Sequence, residues 1–382
     1  MNAKSPASPI PVLIMARDLD QGGVQRDVAK IAMGLDRKRF EPHVATYFAE
    51  GLRYQELRAA GVPLLHVPLT SLLSAQALQS AIKMRRYIKQ HGIRLVHAYD
   101  VSGVFCIPVA RSMRVPVTIA SQLSYREILD RRTQRLLRMT DGMADAVLVN
   151  CEAIRKYMIE HEHIPADRVE LCYNGVVTTE FFPAPIPHAD AISKASLVIG
   201  TVCALRPEKA LPLLQEAFSQ VRRLDSNMKL VIVGSGPQFA SVKENALRLG
   251  IEEASVFIPA TRNVATWMRS MDIFVLPSYS EAFSNSLLEA MACGCSVVGS
   301  RIGGTPELIG SNEERGLLFK SGDAADLAGK LSKLITDIDL RRNLATLAVN
   351  FVRNNLTIEI AAERTATIYE KLLQRKTGRC FQ

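Results

Sequence analysis

Two glutamates eight positions apart, Glu281 and Glu289, flank the string Ala282-Phe283-Ser284-Asn285-Ser286. Carboxylates bind sugar hydroxyls, and small polar residues between them leave backbone N–H groups open to an anion. The preceding run DIFVLPS is apolar and ends in a turn, and a helix-like stretch from about Phe283 to Ala292 follows, so strand, turn, helix is the implied order. Glu281 then sits at the helix mouth with Glu289 about two turns along, and an eight-residue step returns close to the same helix face. The amides of Ser284, Asn285 and Ser286 become first-turn donors, a site for a phosphate-sized anion. Two solvated acids on an ordinary amphipathic helix share this spacing, so the pair alone does not decide. Arg206 and Lys209 supply opposite chemistry: three apart, after the apolar run SLVIGTVCAL, they can reach one diphosphate, although a bare pair of this kind is also an ordinary pair of surface charges.

The elements that position these groups need a large chain. At 382 residues and 48% hydrophobic content, two domains with full cores are expected. A formal charge of +9 points to an anionic partner, whether a nucleotide-sugar, a membrane surface or a nucleic acid. No nucleic-acid motif or aromatic-interleaved basic patch supports the last. The seven cysteines are scattered, and Cys293 and Cys295 lack the second pair of a zinc site, so they read as core residues of a reducing cytosol. With no run of eighteen apolar residues, and with MNAKSPASP lacking a signal peptide's apolar core, the expected location is cytoplasmic, either soluble or peripheral on the inner face of the cytoplasmic membrane.

In chain order, a strand is predicted over Ile10–Ala16, then Gly22-Gly23 before a helix carrying Val24, Val28, Ile31, Ala32 and Leu35 at helical spacing. The glycine pair permits close approach of backbone to a ligand, as any loop of this type does, and there is no G-x-G-x-x-G. The strand PHVATYF, helices near Tyr54–Ala60 and Ala77–His91, the strand IRLVHAY and the runs VPVTIASQL and ADAVLVN continue the alternation of a parallel α/β sheet. Ligands collect beyond the carboxyl ends of such strands, which places His97, Asp100, Gln122 and Tyr125 in one crevice, His97 as a catalytic candidate and the other three on the acceptor side, although a lone histidine at a strand end is commonly structural. REILDRRTQRLLR interleaves Arg126, Arg131, Arg132, Arg135 and Arg138 with apolar residues, either a solvated face or a contact for anionic lipid or a phosphorylated acceptor. Residues 1–186 carry +6 of the net +9. Pro183, Pro185 and Pro187 form a stiff connection to a second domain.

The stretch EAFSNSLLEAMACG, with Gly303-Gly304 and Pro306-Glu307, resembles the family 4 glycosyltransferases of the GT-B fold; YNGVVTTEFF resembles that family's interdomain motif, and Arg206 and Lys209 match its R-x-x-K. The resemblance implies an α/β protein with two Rossmann-like domains facing a central cleft: 1–186 for the acceptor, 187–356 for the nucleotide-sugar, and 357–382 a helix crossing back to the first domain. It implies that Glu281 contacts the donor sugar, Glu289 the ribose, the amides around Phe283, Ser284, Asn285 and Ser286 the diphosphate, and Gly23 the donor phosphates. Thr261 and Arg262 fall where the base is held. His97 matches a recurrent family histidine; Ser121-Gln122 stands where a second is expected, and Ala204 and Ala210 stand where glycine is usual. The reaction implied is transfer from a UDP- or GDP-sugar to an acceptor hydroxyl, with retention at the anomeric carbon, in bacterial envelope polysaccharide or glycolipid synthesis. No cofactor is expected, and no acidic pair behind a strand is expected to hold a metal, because Arg206 and Lys209 would carry the charge. An epimerase or hydrolase on the same fold, or a noncatalytic nucleotide-sugar binder, remains an alternative.

Overall fold

A computed structural model describes residues 8–20, 22–185 and 190–378. Pro187, the expected boundary at 186/187 and most of MNAKSPASP lie outside the described residues. The chain divides into two compact units, 1–175 with 358–382, and 176–357. At the crossing between them Val176 bridges Thr357 and donates its N–H to the Leu356 carbonyl at 2.9 Å, so both chain passages enter the second unit together.

The first unit runs β1 (Ile10–Ala16), α1 (Gly23–Gly34), β2 (Phe40–Thr46), α2 (Leu52–Ala59), β3 (Leu64–His66), α3 (Ala75–Gln90), β4 (Leu95–Tyr99), α4 (Gly103–Ser112), β5 (Val117–Gln122), α5 (Arg131–Met143), β6 (Ala146–Val149), α6 (Glu152–Glu160) and β7 (Val169–Leu171). Its strands pair in parallel in the order β3-β2-β1-β4-β5-β6-β7. The apolar runs are continuous rather than alternating because both sheet faces are covered. On one face α1 meets the sheet through Val28, Ile31 and Ala32; on the other, α3 and α4 do so through Met84, Ile88, Phe105 and Ile107.

In the second unit, β8 (Val198–Val202), α7 (Leu211–Val221), β9 (Lys229–Val233), α8 (Phe239–Arg248), β10 (Ser255–Ile258), α9 (Val264–Arg269), β11 (Ile273–Leu276), α10 (Asn285–Cys293), β12 (Ser296–Ser300), α11 (Thr305–Ile309), β13 (Leu317–Phe319), α12 (Ala324–Thr336) and α13 (Ile338–Asn355) give a parallel sheet of order β10-β9-β8-β11-β12-β13. The order reverses between β8 and β11, and in open parallel sheets the loops leaving such a pair diverge and open a crevice at the strand ends.

The final helix, α14 (Ile358–Thr377), belongs to the first unit. It buries Ala361, Ala362, Ala366, Ile368, Tyr369, Leu372 and Leu373 against the α1 side of the core. Tyr369 meets Phe40 edge to face, with ring centroids 5.7 Å apart, and Arg39 reaches Glu363 and Glu370.

Candidate active site

In the second unit the loops after β8 and β11 bring together residues that lie 72 positions apart in the chain. Lys209 Nζ stands 2.6 Å from Glu281 Oε2, and both side chains are mostly buried. The carboxylate also accepts from Ser278 Oγ at 3.2 Å, while the Ser278 carbonyl accepts from Ser300 Oγ at 2.8 Å. Backbone ties the same loops, since the Tyr279 N–H donates to the Glu208 carbonyl at 2.8 Å. Glu281 is thus fixed from β8, β11 and β12 at once. Gly303 is required behind it: at φ 48° an added Cβ would lie 1.8 Å from the Glu281 carbonyl oxygen. Cys203, next to this pair, is half-buried, and the desolvation of its thiol pushes it up to about 12 and keeps it inert at neutral pH.

Arg206 lies at the mouth, its side chain 63% exposed and 4.0 Å from Glu208 Oε1. It leads into a short turn, Pro207–Lys209, closed by Ala210 at φ 49°. That left-handed conformation costs a residue with a Cβ about 1 kcal/mol or more, which accounts for the glycine usual at this position in the resemblance.

The helix opposite begins later than the sequence suggests. Ser284 is its N-cap, accepting from the Leu287 N–H at 3.3 Å, and its hydroxyl lies 3.2 Å from that of Ser286. The first turn is therefore Asn285, Ser286 and Leu287 rather than Ser284 to Ser286, because a serine that caps with its side chain must leave helical φ/ψ. Glu281 lies in the preceding turn, so the same-face argument from eight-residue spacing does not apply; Lys209 and Ser278 orient it instead. Glu289 is on α10 and 1% exposed, and Phe283 is buried before the cap. Arg262 is exposed in the loop beyond β10, beside Thr261, whose hydroxyl accepts from the Asn263 N–H at 3.1 Å.

The first unit corrects the expected crevice. Both ring nitrogens of His97 are taken, Nδ1 by the Tyr369 hydroxyl at 2.7 Å and Nε2 by the Ser121 hydroxyl at 2.6 Å, and the side chain is wholly buried. Burial pulls its pKa down to about 3, so the ring is neutral at neutral pH. A proton carrier needs a ring nitrogen open to substrate; His97 is instead the polar pin joining β4, β5 and α14. Gln122 is likewise turned inward, donating to the Ser124 carbonyl at 2.7 Å and accepting from Arg126 Nε at 3.2 Å. Asp100 and Tyr125 are half-buried. Burial raises the Asp100 carboxyl to about 6 against the Leu123 N–H, and its backbone sits at φ 48°. Gly23 opens α1 behind the extended Gly22.

Two further readings change. The acidic pair not expected behind a strand exists: Asp18 and Asp20 follow β1, with Asp18 Oδ1 accepting from Gln25 Nε2 at 2.8 Å. The run of five arginines is not one solvated face, because Arg126 is fully buried between Asp141 and Glu162, and Arg138 Nε reaches Glu162 at 2.7 Å. Arg131, Arg132 and Arg135 remain for solvent or an anion.

Both parallel sheets reverse their strand order, and in the second unit the Lys209–Glu281 pair stands in the loops at that reversal. Residues 186–350 match the family profile described as glycosyl transferases group 1, and residues 21–180 that of glycosyltransferase family 4. The chain belongs to the family 4 glycosyltransferases and has their GT-B architecture. It is 30% identical over 295 residues to a D-inositol 3-phosphate glycosyltransferase of an Arthrobacter species, covering 71% of this chain and 69% of the relative. It is 26% identical over 309 residues to the N-acetyl-alpha-D-glucosaminyl L-malate synthase of Bacillus anthracis, covering 78% and 80%. Anabaena HepE, whose crystal structure contains UDP, superposes with a TM-score of 0.82 at 19% identity, covering 95% of this chain and all of that one.

Proposed function

We propose that this glycosyltransferase takes its sugar from a UDP- or GDP-sugar held on the second unit, works without a metal ion, and retains the anomeric configuration. The Lys209–Glu281 contact at the β8/β11 switch point carries the reading. A carboxylate held from three strands is suited to fixed sugar hydroxyls. An ammonium beside it can meet a phosphate as the donor enters, exchanging one anionic partner for another. Arg206, exposed at the mouth, is free to swing onto the same diphosphate. Glu289, buried on α10, is assigned the ribose hydroxyls, and the first turn of α10 the phosphate oxygens.

In the reaction so assigned, the bond from the anomeric carbon to the β-phosphate oxygen breaks and a bond from the acceptor oxygen forms. The acceptor hydroxyl proton passes to the departing phosphate on the same face, which gives retention without a protein nucleophile. Charge grows on the leaving diphosphate, where Arg206 and Lys209 stabilise it electrostatically. The acceptor is a hydroxyl of a sugar or glycolipid in bacterial envelope synthesis. The names of the two curated relatives pair a sugar with malate and with inositol 3-phosphate, so an acceptor bearing an anion suits the basic first unit.

The test is product formation from UDP- and GDP-sugars in EDTA, followed by proton NMR of the new anomeric centre. Undiminished turnover with the donor's anomeric configuration is expected. Activity lost in chelator and restored by Mg²⁺ would remove metal independence, inversion would remove the same-face route, and free sugar released without acceptor would mark a hydrolase.

A further inference from the structure

No acidic residue occurs between Glu56 and Asp100, whereas that stretch contains Arg58, Lys83, Arg85, Arg86, Lys89 and Arg94. Its helix α3 buries Ala77, Ser80, Met84 and Ile88 and leaves Leu78, Ile82, Lys83, Arg85, Arg86 and Lys89 exposed. Leu78, Ile82, Arg85 and Lys89 follow at steps of four, three and four, and so lie along one stripe of the helix. Just before the helix, Leu72 and Leu73 are exposed as well; Leu73 is 86% and Leu78 65% accessible. Single exposed aliphatics are ordinary, but four within eleven residues, backed by cations on the same helix, form an amphipathic surface of a different kind. A groove of about 470 Å³ adjoins it, lined by Leu65, Ile82, Lys83, Arg86 and Tyr87, apolar inside with two cations. The acid facing this end of α3 is Glu41, exposed and 3.5 Å from His43, whose Nδ1 meets the Tyr87 hydroxyl.

We propose that Leu72, Leu73 and the exposed stripe of α3 form a docking surface for an anionic lipid bilayer. The leucines and Ile82 enter the interface between headgroups and chains, and Lys83, Arg85, Arg86 and Lys89 meet lipid phosphates. Charge selects this occupant: a second copy placed symmetrically would bring these cations against themselves, whereas an anionic bilayer matches cation and aliphatic together. The surface differs from the arginine-rich segment of residues 126–138, where Arg126, ahead of α5, and Arg138, on α5, serve the protein's own carboxylates. Among the described residues no helix is long and apolar enough to cross a membrane, so contact here would be peripheral. The inference goes beyond glycosyl transfer and does not depend on the donor.

The test is co-sedimentation of the full chain with vesicles of phosphatidylglycerol mixed with phosphatidylcholine, and of phosphatidylcholine alone, at low and high salt. Wild type is expected to bind the anionic vesicles at low salt and to be released by salt. Changing Lys83, Arg86 and Lys89 together to Gln should weaken binding about a hundredfold, at roughly fivefold per cation. Leu73→Asp with Leu78→Asp should weaken it about tenfold or more, while Arg131, Arg132 and Arg135 changed together to Gln should leave most of it. All these side chains are exposed, so folding and nucleotide binding, measured in parallel, should be unchanged. Wild type left in the supernatant, α3 variants that sediment like wild type, or a dimer in solution that the leucine variant abolishes would each overturn the proposal.

Discussion

Replacing Lys209 with alanine should lower kcat about a hundredfold or more while raising the donor KM much less, the scale of losing one donor to a developing oxyanion. The reason is where its charge sits. Lys209 is held 2.6 Å from Glu281 in a mostly buried setting, so its ammonium is placed in advance and little reorganisation is needed as the leaving phosphate gains charge. Arg206→Ala should act in the same direction with a smaller effect, because its guanidinium is largely exposed and screened. Steady-state kinetics over a range of donor concentrations separates the possibilities. A rise in KM alone would mean that the cations bind ground-state phosphate and contribute nothing further. Because Lys209→Ala also leaves Glu281 without its cation, the melting temperature of the variant should be recorded alongside.

Arg126→Ala should destabilise the first unit by about 3 to 5 kcal/mol, the cost of removing one partner from a buried charge network. Arg126 is fully buried; its guanidinium holds Asp141 and Glu162, and its Nε reaches Gln122 at 3.2 Å. Glu162 also binds Arg138, at 2.7 Å, and Tyr157. Burial alone would raise the Glu162 carboxyl, but the hydrogen bond from Arg138 and the charge of Arg126 outweigh it and hold the carboxyl below its usual range. A carboxyl depressed in the folded state stabilises above the ordinary carboxylate range, and that stability is lost as pH falls through the lowered value. In a denaturant titration the transition of the first unit should move to lower denaturant, and the loss should shrink in acid. Arg131→Ala, on the exposed face of α5, should change stability by no more than about 0.5 kcal/mol. Equal behaviour of the two variants would mean that the buried network is not what holds this segment.

The sequence-level reading succeeded where the signal is local. A continuous apolar run marks β1 to its end residues, and the basic helical stretch near Ala77–His91 marks α3 within two residues of each end. R-x-x-K and the two glutamates are legible because their neighbours in sequence are themselves distinctive. What escaped depends on long-range geometry. Nothing in the string around His97 says that Tyr369, 272 positions later, will close its ring nitrogen, since the α14 partner is fixed only by tertiary packing. Nor does a run of five arginines disclose that Asp141 and Glu162 draw Arg126 inward and that Glu162 also ties the exposed Arg138. The sequence puts the start of α10 too early because Ser284 can serve either as a first-turn residue or as a cap, and only φ/ψ separates the two. Ser278 and Ser300, which steady the Glu281 loop, had no signal beyond being small and polar at strand ends.

A thermal-shift screen of wild type and Glu289→Ala against UDP, GDP, ADP and their sugars tests the donor assignment most directly. Glu289 is 1% exposed on α10, where a carboxylate bridging two ribose hydroxyls has no substitute in the adjacent SNSLL and AMACG segments. Binding to the folded state raises the melting temperature by an amount set by ligand concentration over Kd. The account predicts that UDP or GDP raises the melting temperature of the wild type, and that Glu289→Ala folds normally but shows a much smaller shift with the same nucleotide. A wild type indifferent to every nucleotide, or a Glu289→Ala variant with the full wild-type shift, would contradict it.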